Sequence, residues 1–206
     1  IGLPKSLTAA CGVDALTHCI EAYTVQLHQP ITDALALKGI SMIAENLEKA
    51  YENGEDREAR RNMMIASTIG GMAFISSNVG AVHAFAETVG AWFDTPHGVA
   101  NSLFLPYIME FNIPACPERF ADIADAMGIE REESMSDEQY ALKAVEYVKA
   151  LNRKLNIPTI KEIKGITEER FEAIAERSAN NVLSNDNARK ITKEDYLELL
   201  KKAYNE

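Results

Sequence analysis

The sequence predicts an all-helical, bundle-like domain, and three observations lead to this class. Apolar residues recur at helical spacing along nearly the whole chain. Runs of alternating β-branched or aromatic residues, which are typical of strands, are missing. Helix-start patterns, in which Ser or Thr precedes an acid or amide by three positions, recur in the second half. With no repeat, linker or low-complexity segment, we expect one domain over residues 1–206.

The first two predicted helices are bounded by turn-forming residues. The first spans roughly Thr8 to Val25, and the second spans about Thr32 to Tyr51. Pro30 marks the loop between them, and Asn53 with Gly54 ends the second helix.

The third predicted helix begins at about Arg57 with the polar stretch "DREARRN" and then turns apolar in "MMIASTIGGMAFI". We expect this second part to be sunk in the core, with Gly70 and Gly71 allowing a close helix contact. The segment "AVHAFAETVGAWF" predicts a fourth helix around His83. His97 follows in a turn, at the start of the fifth helix, "VANSLFLPYIMEF".

Beyond Asn112 the chain consists of amphipathic helices with clear start signals. Pro117 lies near the start of one, Ser136 opens a Ser-x-x-Gln capping box, and Thr192 precedes "KEDYLELLKKAY". We interpret residues 113–206 as a scaffold half and residues 1–112 as the half that carries the chemistry.

Composition limits the classes of function. A chain of 206 residues with 47% hydrophobic residues can form a core without a metal or disulfide. A net charge of -10 opposes nucleic-acid binding, so nucleic acid is not an expected partner. The sequence shows neither a targeting segment nor an apolar run long enough to span a membrane, so we expect a soluble, cytoplasmic protein. Cys11, Cys19 and Cys116 lack any CxxC spacing, and we interpret them as buried, reduced thiols.

The stretch "GVDALTHCIEAY" in the first helix contains a candidate pair of metal ligands. Asp14 and His18 are four residues apart, so they project from one helix face about 5–6 Å from each other. Such a pair more often forms a surface hydrogen bond, but apolar neighbours favour burial, and a buried carboxylate needs a cation or donors. Glu21 lies on the same face and is suited to bind a metal or to support a ligand.

The remaining histidines are ambiguous when each is considered alone. His83 fits a core histidine bonded to backbone carbonyls, and His28, in the polar loop "VQLHQP", fits a solvated one. His97 precedes Gly98, which allows close approach to a bound group. Taken together with Asp14, three of the four histidines could meet around one divalent ion.

Four segments resemble, in order, the C-terminal domain of the iron-containing (group III) alcohol dehydrogenases: "LTAACGVDALTHCIEAY", "GGMAF", "VHAFAETVGAWFDTPHGVANSLFLPYIMEFN" and "ITKEDYLELLKKAY". The resemblance implies that a catalytic Fe²⁺, with Zn²⁺ possible, is bound by four protein ligands, which are Asp14, His18, His83 and His97. It also implies that Phe74 lines the substrate pocket and that Leu7 contacts the cofactor.

The resemblance further implies alcohol–aldehyde interconversion, in which the metal acts as Lewis acid and hydride passes to or from NAD(P). No glycine-rich strand-turn-helix fingerprint for a dinucleotide is present. In the family, an N-terminal α/β domain supplies that site, and family members often form homodimers. We therefore expect this chain, which opens at Ile1, to be the helical metal-binding half, without NAD(P)-dependent turnover on its own.

Glu87 departs from the family pattern, because many members carry a histidine one helical turn after the ligand that matches His83. The carboxylate could relay a proton, join the metal, or point to solvent. We rank a role in lining the pocket just above the solvent-facing one.

Two other functions compete with this interpretation. One is a zinc-dependent polyol oxidoreductase similar to glycerol dehydrogenase. The other is a noncatalytic, metal-bound helical module that mediates assembly.

Overall fold

The protein, described over residues 1–206 by a computed structural model, consists of nine α-helices and short 3-10 turns without any strand. The all-helical prediction is confirmed. In chain order the helices are α1 (Lys5–Thr24), α2 (Pro30–Glu52), α3 (Arg57–Ser77), α4 (Ala81–Phe93), α5 (His97–Asn112), α6 (Pro117–Ala126), α7 (Asp137–Lys154), α8 (Phe171–Ala179) and α9 (Lys193–Asn205).

Helix α2 begins earlier than predicted, because Pro30 is its first residue and not part of the preceding loop. Proline suits this position, since its missing N–H has no intrahelical partner there and its φ is already helical. The Gln29 side chain caps the helix by accepting a hydrogen bond from the Ile31 amide at 3.0 Å. The predicted caps at Ser136 and Thr192 are confirmed, each forming a capping box.

The expectation that the apolar part of α3 is sunk in the core is wrong. Met64, Met72 and Ile75 are 74%, 55% and 80% exposed. The buried stripe consists instead of small residues, namely Ala59, Ala66, Gly70, Ala73 and Ser77. Helix α3 packs through this one narrow face, because small side chains allow its backbone to approach α1 and α2 closely.

The two glycines of α3 differ in their surroundings, because Gly70 lies on the face that packs against α1 and Gly71 does not. A Cβ on Gly70 would lie 3.2 Å from the Cys19 sulfur, whereas a Cβ on Gly71 would meet no atom within 4 Å. The predicted close contact therefore holds at Gly70 alone.

The expectation that all three cysteines are buried is wrong in part. Cys19 is buried, but Cys11 is exposed and Cys116 is half-buried.

The core forms around α1, which packs against α2, α3 and α5, and around α4, which packs against α5 and α8. The rings of Phe85 and Phe104 stack between α4 and α5 with centroids 3.9 Å apart. Helix α6 packs against α2 and α7, whereas α7 and α9 pack against α5, and α8 packs against α4 and α9. Helix α5 packs against both α1 and α4. Side chains of α1 and α4 also meet directly, since a Glu21 oxygen lies 2.5 Å from Nδ1 of His83.

Helix α5 contains Pro106, which lacks the amide hydrogen that would bond to the Ser102 carbonyl. The Asn152 side chain of α7 donates to that carbonyl at 2.7 Å. The break in the helical ladder is thereby satisfied, and the second half of the chain holds α5 in place.

No single helix combines the length and apolar character that a membrane crossing needs; only α3 and α4 taken together, bent by 106° at their junction, pass that test of length and composition.

Candidate metal centre

Four side chains predicted as ligands converge between α1, α4 and α5. Asp14, His18, His83 and His97 each offer a ligand atom, and these atoms all lie within 4.8 Å of one another. Asp14 and His18 come from successive turns of α1, His83 from the first turn of α4, and His97 from the first residue of α5. His28 lies apart from them and pairs with Asp33 at 3.3 Å.

A close backbone contact brings α5 to α1. A Cβ on Gly98 would lie only 2.4 Å from the Ala10 carbonyl oxygen and 3.3 Å from Cβ of Asp14. Only glycine fits at that distance. The neighbouring His97 consequently places its Nε2 3.6 Å from Oδ1 of Asp14, although its side chain remains 48% exposed.

Glu21 fixes the tautomer of His83. One oxygen of this buried carboxylate lies 2.5 Å from Nδ1 of His83, and the other accepts the amide hydrogen of Val82 at 2.8 Å. Burial is the largest single influence on His83 and disfavours its charged form, but the charge and hydrogen bond of Glu21, together with the charges of Asp14 and Glu87, outweigh it, so that the pKa of His83 is raised. With its Nδ1 proton held by Glu21, His83 turns Nε2 toward the cluster.

His18 is oriented in the same sense by its own helix. Its Nδ1 donates to the backbone carbonyl of Asp14 at 2.9 Å, which leaves Nε2 as the free ring nitrogen. Burial and the neighbouring His83 lower the pKa of His18, so the ring favours its neutral form. The ring stacks on Phe74 at 4.5 Å between centroids.

The Nε2 atoms of His18 and His83 face each other at 3.1 Å. Because both Nδ1 atoms already donate elsewhere, two lone pairs meet there unless a proton or a cation lies between them. A divalent cation would also neutralise Asp14 and use the lone pair of His97. Three neutral imidazoles and one carboxylate suit Fe²⁺ or Zn²⁺, leave a net charge of about +1, and keep room for an oxygen ligand.

Asn101 is part of this cluster and was missed by the sequence interpretation. It lies one turn after His97 on α5, is fully buried, and directs its side-chain nitrogen at Asp14, His83 and His97. The only sequence signal for Asn101 was its i,i+4 spacing to His97. Asparagine is not among the residue types that indicate a metal site, so this spacing was not used.

The other predicted site residues lie at different distances from the cluster. Phe74 is half-buried and stacks on His18, as a wall of the centre. Leu7 is 45% exposed on the first turn of α1, apart from the four ligand groups. Glu87 is exposed on α4, where its Oε2 accepts from Nδ2 of Asn181 at 2.7 Å.

Glu87 lines a cleft of about 500 Å³ between α4 and α8. Trp92 and Arg177 line the same cleft. The carboxylate is thus within one helical turn of His83 but is not among the clustered ligand groups.

The fold and the cluster define an all-helical domain with a candidate divalent-metal centre. The family described as "Fe-containing alcohol dehydrogenase family, C-terminal" matches residues 8–204. The chain belongs to this family and corresponds to its C-terminal domain.

Relatives and a solved structure agree with this assignment. Alcohol dehydrogenase 4 of Saccharomyces cerevisiae is 43% identical, and the match covers 98% of this chain and 52% of that protein. The 1,3-propanediol dehydrogenase of Klebsiella pneumoniae is 40% identical over 99% of this chain and 52% of its own length. The solved alcohol dehydrogenase from Oenococcus oeni superimposes with a TM-score of 0.94 at 40% identity, covering 98% of this chain and 52% of that one. The chain thus spans about half the length of the curated relatives it matches.

Proposed function

We propose that this chain binds a catalytic divalent metal, Fe²⁺ with Zn²⁺ as the alternative, and forms the metal-binding part of an NAD(P)-dependent alcohol dehydrogenase. The observation that carries the proposal is the pair of Nε2 atoms of His18 and His83, which face each other at 3.1 Å while both Nδ1 atoms are engaged elsewhere. Asp14 and His97 complete the ligand set.

The proposed substrate is a small alcohol or aldehyde. The names of the relatives support this class, because they include an alcohol dehydrogenase and a 1,3-propanediol dehydrogenase. When bound, the metal supplies Lewis acidity to the substrate oxygen, while hydride is exchanged with the nicotinamide.

The chain's own residues position the reacting groups. Glu21 and the Asp14 carbonyl hold two imidazoles with Nε2 inward, so that no ring must rotate when the metal binds. Phe74 covers one face of His18 and limits the access of water from that side. Glu87 lies one turn beyond His83 and lines the cleft, which supports the proposed role in exchanging protons with solvent.

We propose that the dinucleotide is bound mainly by an α/β domain that packs on this chain. Exposed apolar side chains at the start of α1 and along α3 support such a contact, since exposed groups of this kind mark interaction surfaces. They are Leu3, Leu7, Met64, Met72 and Ile75. By itself the 206-residue chain is expected to bind metal without NAD(P)-dependent turnover, and clear alcohol oxidation by it would contradict this division of labour.

The experiment that tests the metal site is elemental analysis after anaerobic purification, which limits loss of Fe²⁺ or its exchange for Zn²⁺. We expect about one divalent metal per chain in the wild type. His83→Ala should lose the metal, and the matched control His28→Ala should keep it, because His28 lies outside the cluster.

The outcomes separate the competing functions. Metal-free wild-type chain, with stability unchanged in His83→Ala, would contradict every metal-binding function. Iron would favour the alcohol dehydrogenase over the polyol oxidoreductase, whereas zinc would be consistent with both, and turnover of polyols would then favour the polyol oxidoreductase. Metal binding without turnover of any alcohol, when the chain is joined to a dinucleotide-binding domain, would favour the assembly module.

The role of Glu87 is tested in an enzyme that contains this chain. Glu87→Gln should lower turnover, because the amide cannot exchange a proton, and should leave the metal content unchanged. Steady-state kinetics with elemental analysis measures both, and unchanged kinetics would remove Glu87 from the mechanism.

A further inference from the structure

We propose that Asn101 is a positioning residue of the metal centre, which holds the Asp14 carboxylate through its side-chain amide and thereby raises the affinity of the centre for a divalent cation. This inference rests on the proposed function. It adds a fifth protein group to the centre and assigns that group a hydrogen-bonding role instead of a ligand role.

The contacts of Asn101 converge on the candidate ligands. Its Nδ2 lies 2.6 Å from Oδ1 of Asp14, 3.0 Å from Nε2 of His97 and 3.2 Å from Nε2 of His83. The residue is fully buried, and its Oδ1 has no hydrogen-bond partner. Its donor nitrogen is therefore directed at the metal centre, and its acceptor oxygen is unused.

The orientation of the amide follows from the acceptors around it. If the side chain were flipped, Oδ1 would face a carboxylate oxygen at 2.6 Å, and two acceptors would repel each other. With Nδ2 inward, the shortest contact is a charge-assisted hydrogen bond to Asp14. The inward nitrogen is the stable arrangement even though Oδ1 is left without a partner.

An amide group has two hydrogens, yet three acceptors surround it when Nε2 of His83 and Nε2 of His97 carry no proton, as metal binding requires. Without a cation, at least one of these acceptors lacks a donor. A divalent cation removes this conflict, because it takes the lone pairs of His83 and His97 and leaves the amide free to bond to Asp14. Asn101 thus keeps the ligands close together before binding, and it keeps the carboxylate aligned afterwards.

The residue type suits this role. A neutral amide orients the carboxylate without adding charge, whereas Lys or Arg at this depth would repel the incoming cation. Helix α5 supplies both His97 and Asn101 from successive turns, so one rigid element positions a ligand and the group that orients a second ligand on α1.

The test compares the affinity for zinc of variants of the full chain. Asn101→Leu keeps the approximate volume and removes the donor, and we expect the Kd for Zn²⁺ to rise about 10- to 100-fold. Competition with a chromogenic chelator measures this Kd, and circular dichroism reports helix content. The matched control is Asn46→Leu on α2, because Asn46 is also buried and hydrogen-bonded but lies outside the cluster. The control should lose stability and keep the wild-type Kd.

A second variant keeps the test decisive if Asn101→Leu does not fold. Asn101→Ala removes the amide and leaves a smaller side chain that meets no steric conflict in the core, so the rise in Tm on adding zinc should be smaller than that of the wild type. A purely structural role for Asn101 would lower both Tm values equally.

The results separate this inference from the proposed function. If the wild-type chain does not bind zinc, the proposed function and this inference fail together. If the wild type binds zinc and both Asn101 variants respond to it as the wild type does, only the role of Asn101 is overturned.

Discussion

At the scale of single residues, the centre depends on which nitrogen of each histidine carries the proton. Glu21 accepts two hydrogens, from Val82 N and from Nδ1 of His83, and only a carboxylate has two acceptor oxygens for them. The backbone carbonyl of Asp14 likewise accepts the Nδ1 hydrogen of His18. Two short-range contacts therefore aim both Nε2 lone pairs at one point.

Glu21→Gln tests this dependence. The amide has one acceptor oxygen, so either Val82 N or Nδ1 of His83 loses its acceptor, and the Kd for Zn²⁺ should rise about 10- to 100-fold without loss of helix content. Chelator competition measures it. Glu45→Gln, on the exposed face of α2, is the control and should leave the Kd unchanged. Equal Kd values for Glu21→Gln and wild type would mean that the tautomer of His83 is set by other contacts.

The sequence predicted the clustering of Asp14, His18, His83 and His97 through motif spacing and the family resemblance. It did not predict Asn101, because the acceptors that identify its role come from α1 and α4 and are distant in the chain. It suggested two roles for Glu21, and the structure supports the one in which Glu21 orients a ligand.

At the scale of elements, the geometry of the centre depends on how closely helices approach. Helix α5 contacts α1 through Gly98, and α3 contacts α1 through Gly70. Periodicity alone could not predict which face of α3 is buried, because large apolar residues lie on the opposite face from the small ones. The small residues are the buried ones because they let the backbone of α3 approach α1 and α2 closely, which the larger apolar side chains would prevent.

Gly98→Ala tests the contact between α5 and α1. The added Cβ would lie 2.4 Å from the Ala10 carbonyl oxygen, so α5 must shift. We expect a loss of about 1–3 kcal/mol in the free energy of unfolding, measured by urea denaturation, together with weaker zinc binding as His97 moves from Asp14.

The matched control for this variant is Gly71→Ala on α3. It meets no atom within 4 Å, and it should stabilise the chain by about 0.4–1 kcal/mol, because alanine restricts the unfolded state. If Gly98→Ala behaved like Gly71→Ala, the close approach of α5 to α1 would not be needed.

At the scale of the whole molecule, the candidate ligands come from α1, α4 and α5, and helices of the second half pack against α4 and α5. Asn152 of α7 satisfies the carbonyl freed by Pro106, and the α4 cleft is closed on one side by α8. The interpretation of residues 113–206 as a scaffold half stays a prediction, and it can be tested by separating metal-linked from metal-independent stability.

Zinc at one hundred times its Kd should add about 2.7 kcal/mol to the free energy of unfolding, because it binds the folded chain alone. His83→Ala should abolish this increment. Ser136→Ala removes a cap that accepts the Gln139 amide hydrogen, so it should cost about 1 kcal/mol and leave the increment intact. Urea titrations with and without zinc measure both. A smaller increment in Ser136→Ala would show that the second half shapes the centre directly.

The sequence by itself determined the helical class, the starts of several helices, the family and the four clustered candidate ligands, because helical periodicity, caps and motif spacing are local properties of the chain. Only the tertiary structure decided that α3 buries its small residues, that Cys11 is exposed, and that Glu21 and Asn101 contact the clustered side chains. Each of these depends on atoms brought together from distant positions, as when Glu21 of α1 meets His83 of α4 across 62 positions of chain. Such a partner determines which ring nitrogen of His83 carries the proton, and a local sequence pattern cannot predict it.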